Sequence, residues 1–416
     1  VEKGELKIAL VSQYFWPESF SINDLVEALV AQGHVVEVFT GKPNYPEGKI
    51  FPGYKAEGAM EEKFAGAVPV HRAPLRARGA GGGKNLARNY ISFVWNGLRH
   101  FPRQAKGKSF DIVLVFSLSP ITAAIPAIYL KWRLGKPMTM WVLDLWPESL
   151  SATGFIRNRA VLAGVGALVR GIYACADQIL VQSRAFVGAV SRYANPSKIA
   201  YYPNCSRDMP LALPQETTVP ATLLSTLESE FCVVFAGNLG TAQAVETLLE
   251  AAERLKHLPR FKMVLVGSGS MSEWLGQEQT RRQLDNVVLA GRYPSEEMPQ
   301  FLTRAQGLIV SLKRSEIYAQ TVPAKVQSYL CAGKPILASI DGEGARVVQE
   351  AEAGLVSSAE DAQGLAANIE QLYAMDVEER ARLGAAGRQY FLEHFELKAQ
   401  AARLAELLQQ QIERSR

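Results

Sequence analysis

Residues 231–255 read FCVVFAGNLGTAQAVETLLEAAERL. The apolar run 231–236 has the composition of a buried strand. Gly237 and Gly240 punctuate a turn, and AVETLLEAAERL is an amphipathic helix beginning near Ala242. Strand, glycine turn and helix in that order form the repeating unit of a parallel α/β sheet. Glycine lets a backbone approach a ligand closely, and a helix start offers free N–H groups at the positive end of its dipole, so the turn is a candidate phosphate cradle. Taken singly it is a weak signal, because many α/β turns need glycine with no ligand.

The same grammar runs outward in both directions. Downstream, FKMVLVGSG ends in a second glycine turn at Gly267, and NVVLAG, GLIVSL and KPILASI read as further strands. Upstream, KIALVSQYF, a helix from about Asn23 to Gln32 closed by Gly33, VVEVFT, DIVLVF, PMTMWVLD and QILVQ repeat it. Between the two series, Tyr201–Glu228 is rich in Pro, Thr and Ser and reads as a linker. The pattern predicts two successive Rossmann-like halves: 1–205, with 396–416 returning to it, and 206–395. Open α/β sheets bind ligands at the carboxyl ends of their strands, where both glycine turns lie.

Apolar residues make up 48 % of the 416-residue chain and charged residues 21 %, which excludes disorder and predicts large cores. The four cysteines form no CxxC pair and sit among apolar neighbours, so reduced buried thiols are expected. No metal-binding or redox spacing is visible. The uncharged stretch Ile112–Leu130 approaches bilayer-spanning length, but its prolines, serines and threonine split it into a strand, a turn and a helix. No basic leader precedes an apolar segment at the start, so no signal peptide is expected, and the expected location is cytoplasmic.

The net charge of +4 does not point to nucleic acid, but its distribution is uneven: Lys63–Phe110 holds ten Lys or Arg and no acid. Within it, GAGGGK is a loop and KNLARNYISFVWNGLRHF a basic amphipathic helix, with Leu86, Tyr90, Val94, Leu98 and Phe101 at helical spacing and Phe93 and Trp95 beside them. Lys84, Arg88 and Arg99 flank that surface. Such a helix suits an anionic membrane surface, and equally a helix packed on a core with its cations in water.

Other residue types at strand ends are candidates for chemistry. Asp144 and Glu148 in DLWPES follow the strand MTMWVL, and Glu18 lies in an earlier WPES. A carboxylate there can take a proton from an acceptor hydroxyl or stabilise developing positive charge; the alternative is a first-turn helix acid. Asn44 and Tyr45 lie in a turn-rich loop after the second strand, which reads either as a cleft loop contacting the acceptor or as a plain surface loop. Lys325, in the first turn of a helix beginning near Ala324, opposes the helix dipole, as an anionic ligand would explain. His71 shows no partner in the sequence, and His34 reads as a loop residue.

Five stretches carry a resemblance: SQYFWPESFSINDL, TGKPNYPEGKIFPGY, DLWPESL, AGNLGTAQ and VPAKVQSYLCAGKP. In their order and spacing the chain resembles the family-four retaining glycosyltransferases, and among them the bacterial L-fucosaminyltransferase-like branch, over nearly its whole length. The resemblance implies a GT-B fold: two Rossmann-like domains facing each other across a cleft, with the C-terminal helix crossing back to the first. It implies that a UDP-linked N-acetylated deoxyhexosamine such as L-FucNAc is transferred to a polyprenyl-diphosphate-linked saccharide in O-antigen or capsule synthesis. It further implies retention of configuration, no required metal or cofactor, and a peripheral place on the inner face of the plasma membrane.

The same resemblance puts Gly237, Asn238, Leu239 and Gly240 at the donor's phosphates, with the glycine turn at Gly267 a further candidate from its own pattern, Arg292 and Tyr293 near its base, and Val322, Ala324 and Lys325 near the diphosphate. Two departures stand out. The family's Arg and Lys in the glycine turn are replaced by Asn238 and Gln243, and its pair of glutamates by Gln320 and Ser328. The diphosphate charge must then be met by Lys325, with Arg292, Lys313 or Arg314 as further candidates, and Glu316, Gln327 or Ser328 are left to contact hydroxyls. A UDP-sugar 2-epimerase of the same architecture and a non-catalytic scaffold of a polysaccharide assembly complex are the alternatives.

Overall fold

The computed structural model describes residues 4–80, 82–152, 158–209, 213 and 216–416. Gly81 of the GAGGGK loop, and residues 210–212 and 214–215 of the expected linker, lie outside the described residues. The chain divides into two compact units, residues 1–207 with 396–416, and residues 208–395.

The first unit is an eight-stranded sheet. Its strands are β1 (Lys7–Val11), β2 (Val35–Thr40), β3 (Met60–Phe64), β4 (Val68–Arg72), β5 (Ile112–Ser117), β6 (Met138–Val142), β7 (Gln178–Val181) and β8 (Ile199–Tyr201), in the order β3-β4-β2-β1-β5-β6-β7-β8. Every neighbouring pair is parallel except β3 with β4. Alternation within β1 shows why two layers of helix are needed. Ala9 and Val11 enter one core, Ile8 and Leu10 the other. The first core is closed by α2 (Gly83–Gln104), α3 (Ala124–Leu134), α5 (Arg159–Cys175) and α6 (Arg184–Ser191); the second by α1 (Ser21–Ala31) and the C-terminal helix Leu397–Arg414. The short α4 (Glu148–Ala152) follows β6. The C-terminal helix buries Leu397, Ala401, Leu404, Leu408 and Ile412 in that second core, so it does return to the first unit. Ile112–Leu130 resolves into β5, a 3-10 turn at Ile121–Ala123 and α3. No helix of the described residues is long and apolar enough to cross a membrane.

The second unit is a six-stranded, wholly parallel sheet: β9 (Phe231–Ala236), β10 (Phe261–Val266), β11 (Val287–Gly291), β12 (Gly307–Ser311), β13 (Ile336–Ser339) and β14 (Gly354–Ser357), ordered β11-β10-β9-β12-β13-β14. Cys232 and Val234 face one core and Val233 and Phe235 the other. Helices α7 (Ala221–Ser229), α8 (Val245–Arg254), α9 (Ser272–Arg281), α10 (Met298–Leu302), α11 (Glu316–Ala319), α12 (Ala324–Ala332), α13 (Glu343–Glu350), α14 (Ala362–Ala374) and α15 (Val377–His394) precede the terminal α16 (Leu397–Arg414). In each sheet the strand order reverses beside the first strand of the unit, between β1 and β5 and between β9 and β12, and such a reversal opens a crevice at the carboxyl ends.

Three expectations change. The helix after the first glycine turn starts at Val245, not near Ala242, because a 3-10 turn at Thr241–Gln243 and a left-handed Ala244 come first. The linker is shorter than 201–228, since α7 already belongs to the second unit. His71 is not partnerless: it is buried at the end of β4 between Glu37 (2.7 Å) and Glu61 (3.1 Å). The four cysteines are free thiols, three of them buried.

Candidate active site

In the second unit the glycine turns after β9 and β10 interlock. Gly237 N–H donates to the Val266 carbonyl (2.8 Å), Gly267 N–H to Gly291 (2.7 Å) and Leu239 N–H to Ser268 (3.0 Å), while the Leu239 carbonyl accepts from Met271 N–H (2.9 Å). This approach admits no side chain. A Cβ on Gly267 would lie 1.8 Å from the Gly237 carbonyl oxygen, and one on Gly269 2.4 Å from that of Leu239. Gly237 and Gly267 also take φ of 136° and 139°, which L side chains rarely adopt.

The interlocked turns wall a cavity of about 470 Å³ with Gly237, Asn238, Gly267, Ser268, Gly269, Arg292, Tyr293 and Met298 on its surface. Tyr293 is held against Phe301, its ring centre 5.0 Å away. Arg292 is exposed, and among the described residues no acceptor holds its guanidinium. Lys325, the second residue of α12, adjoins the cavity from the side. Its ammonium lies 3.8 Å from the Phe235 ring centre and donates to Gln243 Oε1, and a Cβ on Gly237 would sit 2.7 Å from its Cε. Burial lowers its pKa to about 7, because no carboxylate compensates the lost water. Tyr329, one turn further along α12, accepts from Ala236 N–H (3.0 Å) and donates to the Ala236 carbonyl (3.3 Å), which fixes the end of β9 to the helix that carries Lys325.

Several expected donor contacts are placed otherwise. Leu239 is buried in the core, and its N–H and carbonyl are both spent between the turns, so it shapes the cradle without reaching into it. Glu316 is exposed on the separate short helix α11. Val322, Ala324, Gln327 and Ser328 are not among the cavity walls; Val322 packs on the core, Gln327 is buried, and Gly240 is buried behind the turn. Lys313 pairs with Glu246 (3.2 Å), and Arg314 binds the Ala359 carbonyl (3.1 Å). Ser268, Gly269, Met298, Phe235 and Tyr329 were not singled out by sequence. Only the Gly-Ser-Gly after β10 carried a readable sign.

In the first unit, Asp144 follows β6 and is half-buried. The Trp146 indole N–H donates both to Asp144 Oδ2 and to Ser119 Oγ, each at 3.2 Å. The hydroxyl of Tyr90 bonds Ser119 in the field of Asp144 and Arg78, and burial raises its pKa. Glu148, at the start of α4, turns instead to Arg192 (3.7 Å) and Tyr193.

Glu18 is not an acid open to a substrate. It is 2 % exposed, and its carboxylate accepts from the backbone N–H groups of Phe15 (3.2 Å), Asn44 (2.7 Å) and Tyr45 (2.7 Å), tying the loop after β1 to the loop after β2. Burial raises its pKa and those three donors hold it back. Asn44 is fully buried as well, spent on the Lys42 carbonyl, the Arg78 N–H and Asn89. Its neighbour Tyr45 stays 39 % exposed, with the Arg78 guanidinium 5.1 Å from its ring centre.

Helix α2 presents a different face from the one its periodicity suggested. Asn89, Phe93, Gly97 and Phe101 are buried, whereas Lys84, Arg88, Ile91, Trp95 and Arg99 face solvent.

Comparison with known proteins adds to this geometry. Residues 225–390 match the family described as glycosyl transferases group 1, and residues 20–205 the glycosyl transferase 4-like domain. WcaI of Escherichia coli (strain K12), named as a colanic acid biosynthesis glycosyl transferase, is 24 % identical over 339 residues, covering 79 % of this chain and 82 % of WcaI. Among solved structures, sucrose-phosphate synthase of Thermosynechococcus elongatus superposes with a TM-score of 0.68 at 18 % identity, covering 97 % of this chain and 98 % of that one. Anabaena HepE in complex with UDP superposes with a TM-score of 0.65 at 14 % identity, covering 97 % of this chain and all of that one.

Proposed function

Because the chain is a glycosyltransferase of GT-B fold with a group 1 C-terminal domain, we propose that it moves a sugar from a UDP-linked donor to a polyprenyl-diphosphate-linked saccharide during assembly of a bacterial surface polysaccharide. The observation that carries the reading is the glycine-walled cavity of the second unit, with Arg292 on its surface and Lys325 beside it. A diphosphate is an anion that must approach a backbone closely and meet positive charge. The UDP complex of HepE, on the same fold, and the colanic acid assignment of WcaI support the donor and the pathway class.

The chemistry follows from charge. As the bond from the anomeric carbon to the diphosphate breaks, negative charge grows on the leaving group, where Lys325 and Arg292 stabilise it. Lys325 waits on Phe235 and Gln243, where desolvation weakens its hold on a proton. An incoming diphosphate favours the charged form, so binding above neutral pH takes up a proton. In the first unit Asp144, oriented by Trp146, receives the proton of the acceptor hydroxyl. The donor sugar we favour is an N-acetylated deoxyhexosamine of the L-FucNAc type, transferred with retention and without a metal, by an enzyme resting on the inner face of the plasma membrane.

Calorimetric titration with UDP, GDP and ADP tests the donor half. Micromolar UDP binding that persists in EDTA and falls about tenfold or more in Lys325→Ala is expected from the loss of a charge-assisted contact. Absence of any nucleotide binding overturns the reading and favours a scaffold. Consumption of UDP-GlcNAc without acceptor favours an epimerase.

A further inference from the structure

The transfer chemistry leaves one built feature of the first unit unused. Between α2 and the start of α3 runs a groove of about 340 Å³, its walls including Ala87, Tyr90, Ile91, Val94, Ile125 and Trp146. This volume is in the range of small-molecule sites, and the lining, which also includes Trp95 and Thr122, is almost wholly apolar. The polar atoms of its two amphipathic walls converge on Ser119: the Trp146 indole meets Asp144 and Ser119, and the Tyr90 hydroxyl meets Ser119. The Arg78 guanidinium, which donates to the Tyr14 hydroxyl (3.1 Å) and lies over the Tyr45 ring, acts on Tyr90 through its charge. Of the lining residues, Ile91 is 68 % and Trp95 69 % exposed, an unusual display of large apolar side chains on a helix that carries no acidic residue. Lys84, Arg88 and Arg99 stand on the exposed face around them.

An apolar groove with Asp144 bonded to its Trp146 wall, the Arg78 charge acting on its Tyr90 wall and Lys84, Arg88 and Arg99 exposed on the same helix fits an amphiphile with an apolar tail and an anionic head. We propose that the groove holds the first isoprene units of the acceptor's polyprenyl chain, with the diphosphate turned toward Arg78 and the saccharide toward Asp144. The assignment rests on the reading of the protein as a transferase acting on a lipid-linked acceptor. It makes chain recognition a property of the folded protein itself, separate from adhesion to a bilayer.

The test is equilibrium dialysis of the full chain, without vesicles and with UDP saturating, using labelled farnesyl diphosphate and inorganic diphosphate. The groove predicts that the farnesyl compound binds at least about tenfold tighter. Ala87→Trp, which fills the groove from an exposed helix position, abolishes that preference, and Trp132→Ser, at a 64 % exposed position of α3 outside the groove, leaves it intact. Equal affinity for the two probes overturns the proposal. So does a preference that survives Ala87→Trp, or one lost in Trp132→Ser alone, which would place the chain on the outer surface of α3. A separate titration of UDP into the same proteins without the dialysis probes reports on the donor site: loss of chain preference with UDP binding intact removes the groove only. Chain preference without UDP binding supports the groove and removes the donor assignment.

Discussion

Lys325 exchanges stability for function in a way that can be measured. Its folded-state pKa lies near 7, below the unfolded value, so the unfolded chain holds more protons between pH 7 and 10.5. The empty protein therefore pays the full desolvation cost below pH 7 and sheds it as pH rises toward 10.5. Lys325→Met should raise the melting temperature at pH 6, by an amount reflecting up to a few kcal/mol, and the gain should shrink by pH 9. The same variant should weaken UDP binding, and the wild type should take up a proton on binding UDP at pH 8, seen as a buffer-dependent calorimetric heat. An unchanged or lower melting temperature at pH 6 would mean that the ammonium is better solvated than its place on Phe235 implies. The carboxylates part company at this scale too. Asp144→Asn should lower kcat about 100-fold or more, with UDP affinity unchanged, as expected of a group that acts on the proton. Glu18→Gln should instead cost about 1–3 kcal/mol of stability: one amide oxygen can still accept from the Asn44 and Tyr45 N–H groups, but the amide nitrogen then faces the Phe15 N–H, from which it cannot accept. Chemical denaturation and steady-state kinetics on the two variants separate a chemical role from a positioning one.

Among elements, the glycine turns after β9 and β10 behave as one part. Gly267→Ala would press a Cβ onto the Gly237 carbonyl and strain a φ of 139°, so the turns must separate. We expect a loss of about 2 kcal/mol or more together with UDP binding. Gly276→Ala, on the middle of α9 where a Cβ meets nothing closer than 4.0 Å, should be neutral or slightly stabilising. Denaturation midpoints of the pair decide whether close approach or glycine itself is at issue. Helix α2 shows the complementary case: one face is spent on the core and the other left with two bare apolar side chains among cations.

For the whole molecule, the C-terminal helix is part of the first unit even though the second unit intervenes in sequence. Removing 396–416 uncovers Ile22, Leu25 and Val26 of α1 along with the partners of Leu404 and Leu408. The truncated chain should bind a hydrophobic dye and be cleaved within 1–207 by a protease that spares the intact protein. Protection equal to that of the full chain would show the helix to be dispensable for that core.

Local pattern alone determined the two α/β halves, the glycine turns at strand ends, and the place of Lys325 at a helix start, because strand and helix periods and glycine punctuation are written in near neighbours. It determined that α2 is basic and amphipathic but not which side faces out. Core-facing Phe93 and Phe101 and solvent-facing Trp95 differ only in what α3 packs against. The edge strand β3 and its neighbour β4 went unread, since MEEKF and VPVHR carry little apolar signal and are made strands by pairing, β4 with β2 and β3 with β4. Tertiary structure alone decided what each polar group is spent on. Glu18 and Asn44 look like cleft residues in the sequence and prove to be loop ties, because their partners lie 26 and 45 residues away. Leu239 looks like a cradle residue and is an anchor, while Phe235, Gln243 and Tyr329 look like scaffold and set the position of the lysine. A hydrogen bond or an ion pair satisfies a group through space, and chain order does not encode which distant atoms will be there.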